Sequence, residues 1–277
     1  MGKKLPTIVD SLLKNYIKQL DKVLPGRVEG IYLYGSVALN AFDDSSDIDY
    51  ITVVNHYLTK EEVHSLSLIH REIEKNYPKP MMQGGYLLWS DIGKKEEEIT
   101  PYPYYTDGVM YSSGFSSHNP VTWWTLKNYG VRILGPSINE LNVKVSEREL
   151  IEYVHQNMNA YWKNRITNIE HLIDTNEHLD KFTETEIDWE IEWSVLGVLR
   201  QFYTISELDI TSKIGAGIYA LDVIPKQWHR IIHEALSIRK GLEDRYYGSN
   251  QERITEAIAF IKYLINHSNH IVNSSRI

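Results

Sequence analysis

Cysteine is absent from the 277-residue chain. Its absence excludes disulfide bonds, catalysis by a thiolate and zinc sites with cysteine ligands, but it does not identify a cellular compartment. Basic residues are in the minority, since 29 lysines and arginines stand against 37 aspartates and glutamates and leave a formal charge of −8. A chain of this charge is poorly suited to binding nucleic acid and better suited to a cationic ligand.

Long apolar runs are missing as well, because no stretch reaches the roughly 18 residues that a membrane span requires. The first residues, MGKKLPTIVDSLLK, have the spacing of an amphipathic helix and lack the pattern of a signal peptide. We therefore expect a soluble, cytoplasmic protein that does not bind membranes. A hydrophobic content of 42% is enough for a large core, and the chain length favours two domains.

The first half of the chain alternates between helical and strand-like periodicity. From about 94 to 120 it is rich in Tyr, Pro, Gly and Ser, and we predict a loop there. Strands are predicted in GIYLYGS, DIDYITVVN and MMQGGYLLWS, and helices over 7–24, in VALNAF and in TKEEVHSLSLIHREIEKNY, which opens with a threonine cap. NPVTWWTLKNYGVRILGPS predicts a further helix and a short strand.

After Ser146 the pattern is helical throughout. The sequence therefore predicts an α+β fold, with an N-terminal domain over 1–145 that contains a mixed sheet with helices, followed by an all-helical domain over 146–277. The helices of this second domain are predicted near 147–174, 187–206, 210–220, 225–240 and 250–268.

Two short motifs, YGS and SDID, contain the candidate metal- and phosphate-binding residues. Asp47 and Asp49 are at i and i+2, so on an extended strand both carboxylates project from one face, with Cα atoms roughly 6.5 Å apart. Two hard oxygen ligands on one face are typical of Mg²⁺ sites. Gly35 lets the backbone approach a phosphate, and Ser36 offers a hydroxyl at the start of the next helix. With Ser46 directly before the acidic pair, the combination predicts a metal–triphosphate site, although DID alone is more often a solvated strand end.

The order GS followed by SDID resembles the signature of the nucleotidyltransferase superfamily related to DNA polymerase β, which transfers NMP from NTP to hydroxyl groups. More narrowly, the chain resembles the aminoglycoside adenylyltransferases that modify streptomycin and spectinomycin. The supporting segments are LKNYGVRILGPSINEL, EIEWSVLGVLRQFYT and ITSKIGAGIYAL, and the resemblance covers about residues 28–265. It implies a monomer with a nucleotidyltransferase domain, followed by a helical domain that closes over the nucleotide and the acceptor.

The resemblance also implies roles for individual residues. Gly35, Ser36 and Ser46 would hold the triphosphate of ATP, and the two aspartates of SDID would bind Mg²⁺. Arg200 and Lys213 would reach the β- and γ-phosphates across the domain cleft. From the residues alone, Arg200 can also be a salt bridge on a helix surface, and Lys213 a solvated helix residue.

One position departs from the family pattern. These enzymes carry a glutamate on the next strand as metal ligand and general base, and alignment of QGGYLLWSDI puts Gln83 there. An amide cannot take a proton, so we expect impaired or absent turnover. Gln83 is then an engineered substrate trap, a natural degeneration, or a sign of a wrong register in which Asp91, Glu190 or Glu192 acts instead. Asp91 is the weakest of these three candidates, because an extended strand would place it roughly 26 Å from Gln83.

The charge of one acidic segment predicts which kind of molecule accepts the transferred AMP. The segment DKFTETEIDWEIEW, residues 180–193, has six carboxylates and one lysine. Such a run is most often a solvated acidic face. The resemblance places Glu190 at an aspartate that contacts the aminoglycoside, with Trp189 beside it, and carboxylates with flat apolar rings suit a cationic amino sugar. The aromatic segment PYPYYTDGVMYSSGF is a candidate for a second wall.

The sequence thus predicts transfer of AMP from Mg²⁺-ATP to a hydroxyl of a cationic acceptor of the streptomycin and spectinomycin class. Two alternatives remain. One is a non-catalytic nucleotide-binding protein or sensor that keeps the aspartate pair and has lost the base. The other is a protein AMP-transferase of the antitoxin type, which uses the same motif but is generally a small single-domain chain.

Overall fold

A computed structural model describes residues 4–116, 118–174 and 182–275 of the chain. The chain divides into two compact units, Met1–Val145 and Ser146–Ile277. The first contains a sheet with helices, and the described part of the second is helical. The predicted α+β class is therefore confirmed.

The first unit contains α1 (Thr7–Val23), β1 (Val28–Leu33), α2 (Gly35–Ala38), β2 (Ile48–Val54), α3 (Lys60–Asn76), β3 (Met82–Leu88), β4 (Tyr102–Thr106), β5 (Val109–Gly114), α4 (Pro120–Tyr129) and β6 (Val131–Leu134). Within the described residues of this unit, the six strands form one sheet in the order β5-β4-β3-β2-β1-β6. Strands β2 and β3 are parallel, and the other neighbouring pairs are antiparallel.

The helices cover both faces of the sheet. Leu12 of α1 and Leu66 of α3 are buried in one core with Ile48 of β2. On the opposite face Leu126 of α4 is buried with Ile51. Because side chains alternate along a strand, the carboxylate two residues before Ile51 lies on the α4 face of β2. The cap of α3 is as predicted, since Thr59 and Glu62 form a capping box.

The prediction of a loop over 94–120 was wrong. The segment contains a hairpin of β4 and β5, with Asp107 and Gly108 in its turn. Both turn residues have positive φ, 50° and 76°, which is the conformation that tight two-residue hairpin turns require. The Asp-Gly pair was the signal for this hairpin, and the tyrosines and Pro103 around it concealed the strands.

The second unit contains α5 (Glu147–Asn157), α6 (Lys163–Asp174), α7 (Glu184–Glu207), α8 (Lys213–Val223), α9 (His229–Arg239) and α10 (Asn250–Ser275). The helix predicted over 147–174 is interrupted by a π-helical turn, Met158–Trp162. Helix α8 begins at Lys213, not at 210, because the Ser212 hydroxyl caps it by accepting from the Gly215 amide at 3.0 Å. Among the described helices, none combines the length and apolarity needed to cross a bilayer.

A buried hydrogen-bonded network connects α1 and α3 to the strands beneath them. The Tyr16 hydroxyl is 3.0 Å from the Thr52 hydroxyl and 2.8 Å from that of Tyr86. The His70 Nε2 is 2.8 Å from the Tyr86 hydroxyl and 3.1 Å from that of Tyr50. The network therefore holds both helices on β2 and β3.

This network predicts a pH dependence of stability. Burial lowers the pKa of His70 from 6.5 to about 3. Below pH 6.5 the unfolded chain binds a proton at His70 that the folded chain does not. His70 therefore lowers the free energy of unfolding by about 1.4 kcal/mol for each unit by which the pH decreases. We expect His70→Gln to be less stable than the wild type at pH 7 and to lose less stability between pH 6 and pH 5, as measured by urea unfolding.

His64, which is exposed on the same helix, offers a matched control. The His64→Gln variant should follow the wild-type pH profile. Burial also lowers the pKa of His118 to about 3, but this residue is present in all three proteins and cancels in the comparison. Parallel profiles for His70→Gln and the wild type would contradict the prediction.

Candidate active site

The two aspartates of the SDID motif lie beside Gln83. Asp47 directly precedes β2, and Asp49 lies within it, opposite Gln83 in the parallel register with β3. The Gln83 Nε2 donates a hydrogen bond to the Asp47 Oδ2 at 3.2 Å. All three side chains are half-buried. The fold thus brings two carboxylates and one amide together at the start of two parallel strands.

Gly35 begins α2 immediately beside this group. Its φ of +62° lies in the left-handed region, and a Cβ at this position would overlap the Asp49 carboxylate. The preceding Tyr34 amide donates to the Asp49 carbonyl oxygen at 3.1 Å. Both the backbone conformation and the close approach therefore require glycine.

The two serines of the motifs differ in their hydrogen bonding. Among the residues that the structure describes, the Ser36 hydroxyl is one of the few buried side-chain groups without a hydrogen-bond partner. The Ser46 hydroxyl instead donates to the Asp43 carboxylate at 2.9 Å and accepts from the Asp43 amide at 3.1 Å. Ser36 therefore has a hydroxyl to offer a ligand, whereas Ser46 holds the turn that leads into the acidic pair.

The donor set fits Mg²⁺ with a phosphate ligand. Mg²⁺ is usually held by one or two carboxylates together with waters and substrate phosphates, and Asp47 and Asp49 provide such a pair. Within the described ranges, no group of three or more Asp, Glu, His or Cys side chains is placed to hold a metal ion. The third side chain beside Asp47 and Asp49 is the amide of Gln83.

The carboxylates considered as substitutes for Gln83 have other partners. Asp91 is buried in the turn after β3, where it accepts from the Leu88 amide at 3.3 Å and the Ser90 hydroxyl at 3.0 Å. Glu190 and Glu192 belong to the helical unit and form ion pairs there. Each of the three is engaged in a structural contact within its own unit.

In the helical unit, Lys213 is the first residue of α8 and is mostly buried. Its Nζ lies 3.0 and 3.1 Å from the two carboxylate oxygens of Glu192 and 4.8 Å from the centre of the Trp193 ring. Burial lowers the pKa of Lys213, Glu192 raises it, and the charge of Arg200 lowers it further. Lys213 is therefore not a solvated residue, and Arg200, exposed on α7, lies within electrostatic reach of it.

The second half of the acidic segment before Trp193 is paired with basic residues. Asp188 forms ion pairs with Arg245 and Arg253. Glu190 accepts from the Arg165 Nε at 2.9 Å, in a two-contact pair with that guanidinium. Glu184 and Glu186 in the first half are exposed. Only the second half therefore differs from a solvated acidic face, and a cationic ligand would have to compete with arginines for its carboxylates. Residues 180 and 181 lie outside the described residues.

Trp189 presents an exposed aromatic surface beside this pair. The residue is 53% exposed, and its ring stacks on Trp193, with the ring centres 5.6 Å apart. The Arg165 guanidinium lies 5.3 Å from the Trp189 ring centre. Because Lys213 lies against the Trp193 ring, the stacked rings already contact two cations.

Sequence reasoning missed the arginines that bind the acidic segment, among them Arg165 and Arg239. Arg165 pairs with Glu190, and Arg239 pairs with Glu192. They lie on α6 and α9, which the linear sequence separates from α7. No local pattern distinguishes them from solvated arginines.

Comparisons with known proteins agree with this architecture. Residues 169–265 match the model of the aminoglycoside adenylyltransferase C-terminal domain. The spectinomycin adenyltransferase AAD(9) from Enterococcus faecialis, solved with ATP and spectinomycin, superposes with a TM-score of 0.66. The alignment covers 94% of this chain and 99% of that one at 18% identity, which shows a shared fold.

Two further comparisons add little. A toxin–antitoxin structure with AMP-PNP covers 57% of this chain and 97% of its own at 14% identity, and its TM-score of 0.29 does not indicate a shared fold. Among curated proteins, no sequence matches the chain. Residues 169–265 thus resemble the C-terminal domain of the aminoglycoside adenylyltransferases, and the chain shares the fold of AAD(9), in agreement with the resemblance that the motifs indicate.

Proposed function

We propose that the protein transfers AMP from ATP to a hydroxyl of an aminoglycoside-type antibiotic of the streptomycin and spectinomycin class. The observation that carries this proposal is the group formed by Asp47, Asp49 and Gln83, with Gly35 packed against it and the Ser36 hydroxyl lacking a partner within the described residues. The neighbour AAD(9), solved with ATP and spectinomycin, supports this choice of substrates.

Each residue would have a defined part in the reaction. The acceptor hydroxyl attacks the α-phosphorus, a new O–P bond forms, and pyrophosphate leaves as the bond to its oxygen breaks. Asp47 and Asp49 would hold Mg²⁺, which when bound neutralises phosphate charge and lowers the pKa of the hydroxyl. Ser36 would donate to a phosphate oxygen. Arg200 and Lys213 would bind the β- and γ-phosphates and stabilise the leaving group.

Gln83 would make this reaction slow. Its side chain can orient an acceptor hydroxyl by a hydrogen bond, but an amide has no basic form at neutral pH. The proton released by the attacking hydroxyl would then pass to water. Loss of a general base typically costs about 10²- to 10⁴-fold in rate, so we propose that substrates bind while turnover is impaired.

The test is pyrophosphate release from Mg²⁺-ATP in the presence of individual aminoglycosides, with streptomycin and spectinomycin first, together with calorimetric binding of ATP. Release that depends on an aminoglycoside supports the proposal. Failure of the protein to bind ATP would overturn it.

Gln83 also favours a second candidate function, that of a nucleotide-binding protein or sensor without turnover. The helical domain of the aminoglycoside adenylyltransferase type, matched over 169–265, favours the antibiotic acceptor over a protein acceptor. ATP binding without transfer to any aminoglycoside, even after a carboxylate is restored at position 83, would support the sensor.

The acceptor proposal makes a prediction for Glu190. If its carboxylate binds an ammonium group of the antibiotic, Glu190→Gln should raise the Kd of the aminoglycoside about 10- to 100-fold, because a hydrogen bond to a charged group is lost. The Kd of ATP should not change. Calorimetry with each ligand measures both constants and does not depend on turnover.

Asp222→Asn is the charge-matched control, since it removes one carboxylate from the exposed surface of α8. It should leave both dissociation constants unchanged. If Glu190 serves only as the partner of Arg165, then Glu190→Gln will lower the melting temperature without a selective effect on the aminoglycoside.

A further inference from the structure

Lys213 shares its carboxylate partner with a second cation. Glu192 Oε1 lies 3.0 Å from the Lys213 Nζ and 3.3 Å from the Arg239 Nη1. The three side chains are only 15%, 9% and 11% exposed, for lysine, glutamate and arginine in that order. Two cations that contact one oxygen atom necessarily lie close together. An anion that reaches Lys213 is therefore within reach of Arg239.

A third positive charge acts on the same group. Burial lowers the pKa of Lys213 and Glu192 raises it. The charges of Arg200 and Arg239 have smaller effects, and both lower this pKa. Like charges held this close repel one another, and a polyanion bound beside them would relieve the repulsion. The three cations come from α7, α8 and α9, so the tertiary fold of the helical unit assembles them.

The end of α9 that carries Arg239 is tied in place by polar contacts. The Ser237 hydroxyl donates to the Asp244 carbonyl oxygen at 2.9 Å. Glu234 is fully buried, accepts from the Tyr246 amide at 2.6 Å, and forms an ion pair with Arg253. These contacts fasten the segment after α9 back onto the helix, and they therefore restrict where the Arg239 side chain can point.

We propose that Arg239 is a third phosphate-binding side chain for ATP, beside Arg200 and Lys213, and that Glu192 is the positioning residue that holds Lys213 and Arg239 for the β- and γ-phosphates. This inference rests on the proposed function and extends it to a residue that the sequence motifs do not mark. A guanidinium suits the role because its planar donors bind two phosphate oxygens at once.

The test compares ligands that differ in their outer phosphates. In the full-length protein with Mg²⁺, Arg239→Gln is expected to raise the Kd of ATP about 10- to 100-fold, the loss typical of a hydrogen bond between charged groups. The Kd of inorganic pyrophosphate should rise in parallel, whereas that of AMP should not change. Arg239→Lys keeps the charge and should lose less affinity for ATP than Arg239→Gln.

Glu192→Gln separates positioning from simple repulsion. If Glu192 merely repels phosphate, removing its charge will tighten ATP binding. If it positions the two cations, the variant should bind ATP more weakly even though one negative charge has been removed. Tighter binding would overturn the role proposed for Glu192.

Arg148→Gln serves as the matched control, because Arg148 is paired with Glu152 on α5 and is 75% exposed. It should bind all three ligands like the wild type. Unchanged ATP affinity in Arg239→Gln overturns the assignment but leaves the proposed function standing. An equal loss for ATP and AMP with a lower melting temperature also overturns it, since Arg239 then only supports the fold. A wild-type protein that binds no ATP overturns the proposed function and this inference together.

Discussion

Replacing Gln83 with glutamate is expected to raise the rate of AMP transfer by about 10²- to 10⁴-fold, the usual contribution of a general base. The side chain at this position already contacts the Asp47 carboxylate and lies opposite Asp49 in the strand register. A glutamate there would be placed to accept the proton of the acceptor hydroxyl. It would also add a third carboxylate to the metal-binding pair.

The measurement is single-turnover pyrophosphate release with saturating Mg²⁺-ATP and aminoglycoside, on the wild type and Gln83→Glu in parallel. Gln83→Asn, which keeps an amide, is the control and should not gain activity. Three adjacent carboxylates repel one another without a cation, so Mg²⁺ should raise the melting temperature of Gln83→Glu more than that of the wild type. Equal rates in all three proteins would show that position 83 does not carry the base.

The second large effect is expected at Gly35. An added methyl group would overlap the Asp49 carboxylate, and the backbone φ of +62° is unfavourable for alanine. The carboxylate must then move, and a displacement of about 1 Å at a reacting centre can cost 10²-fold in rate. We expect Gly35→Ala to lower AMP transfer by about this factor, measured in the Gln83→Glu background, where turnover is fast enough to follow.

Gly26 provides a control for backbone strain alone. Its φ is +68°, and nothing lies within 4 Å of a Cβ added there. Gly26→Ala should therefore lower the free energy of unfolding by about as much as backbone strain does in Gly35→Ala. It should leave the rate of AMP transfer unchanged. A comparable loss of activity in both variants would mean that strain, not contact with Asp49, explains the effect.

The two effects concern different requirements of one site. Gly35 allows a carboxylate to lie against the backbone at the start of α2, and we propose that the residue at position 83 decides whether a base is present next to that carboxylate. A protein that keeps the first requirement and lacks the second would bind its substrates and turn them over slowly.

Much of the fold was readable because periodicity is local. The strand that contains Asp49 and the helix capped by Thr59 follow from residues within a few positions of each other, and the structure has both. The hairpin of β4 and β5 was missed for the opposite reason. Its strands carry polar and aromatic residues near the edge of a sheet, and the pairing of β4 with β3 is a long-range contact that leaves little periodicity in the sequence.

The sequence by itself determined the acidic pair, the Gly-Ser turn and the fold class, because each depends on residue types at short, fixed spacing. The tertiary structure alone decided which charges meet. Glu190 and Glu192 are paired by arginines from α6 and α9, and Gln83 contacts Asp47 through the parallel register of two strands. These contacts depend on how distant segments pack, and side-chain charge carries no information about its partner until the chain has folded.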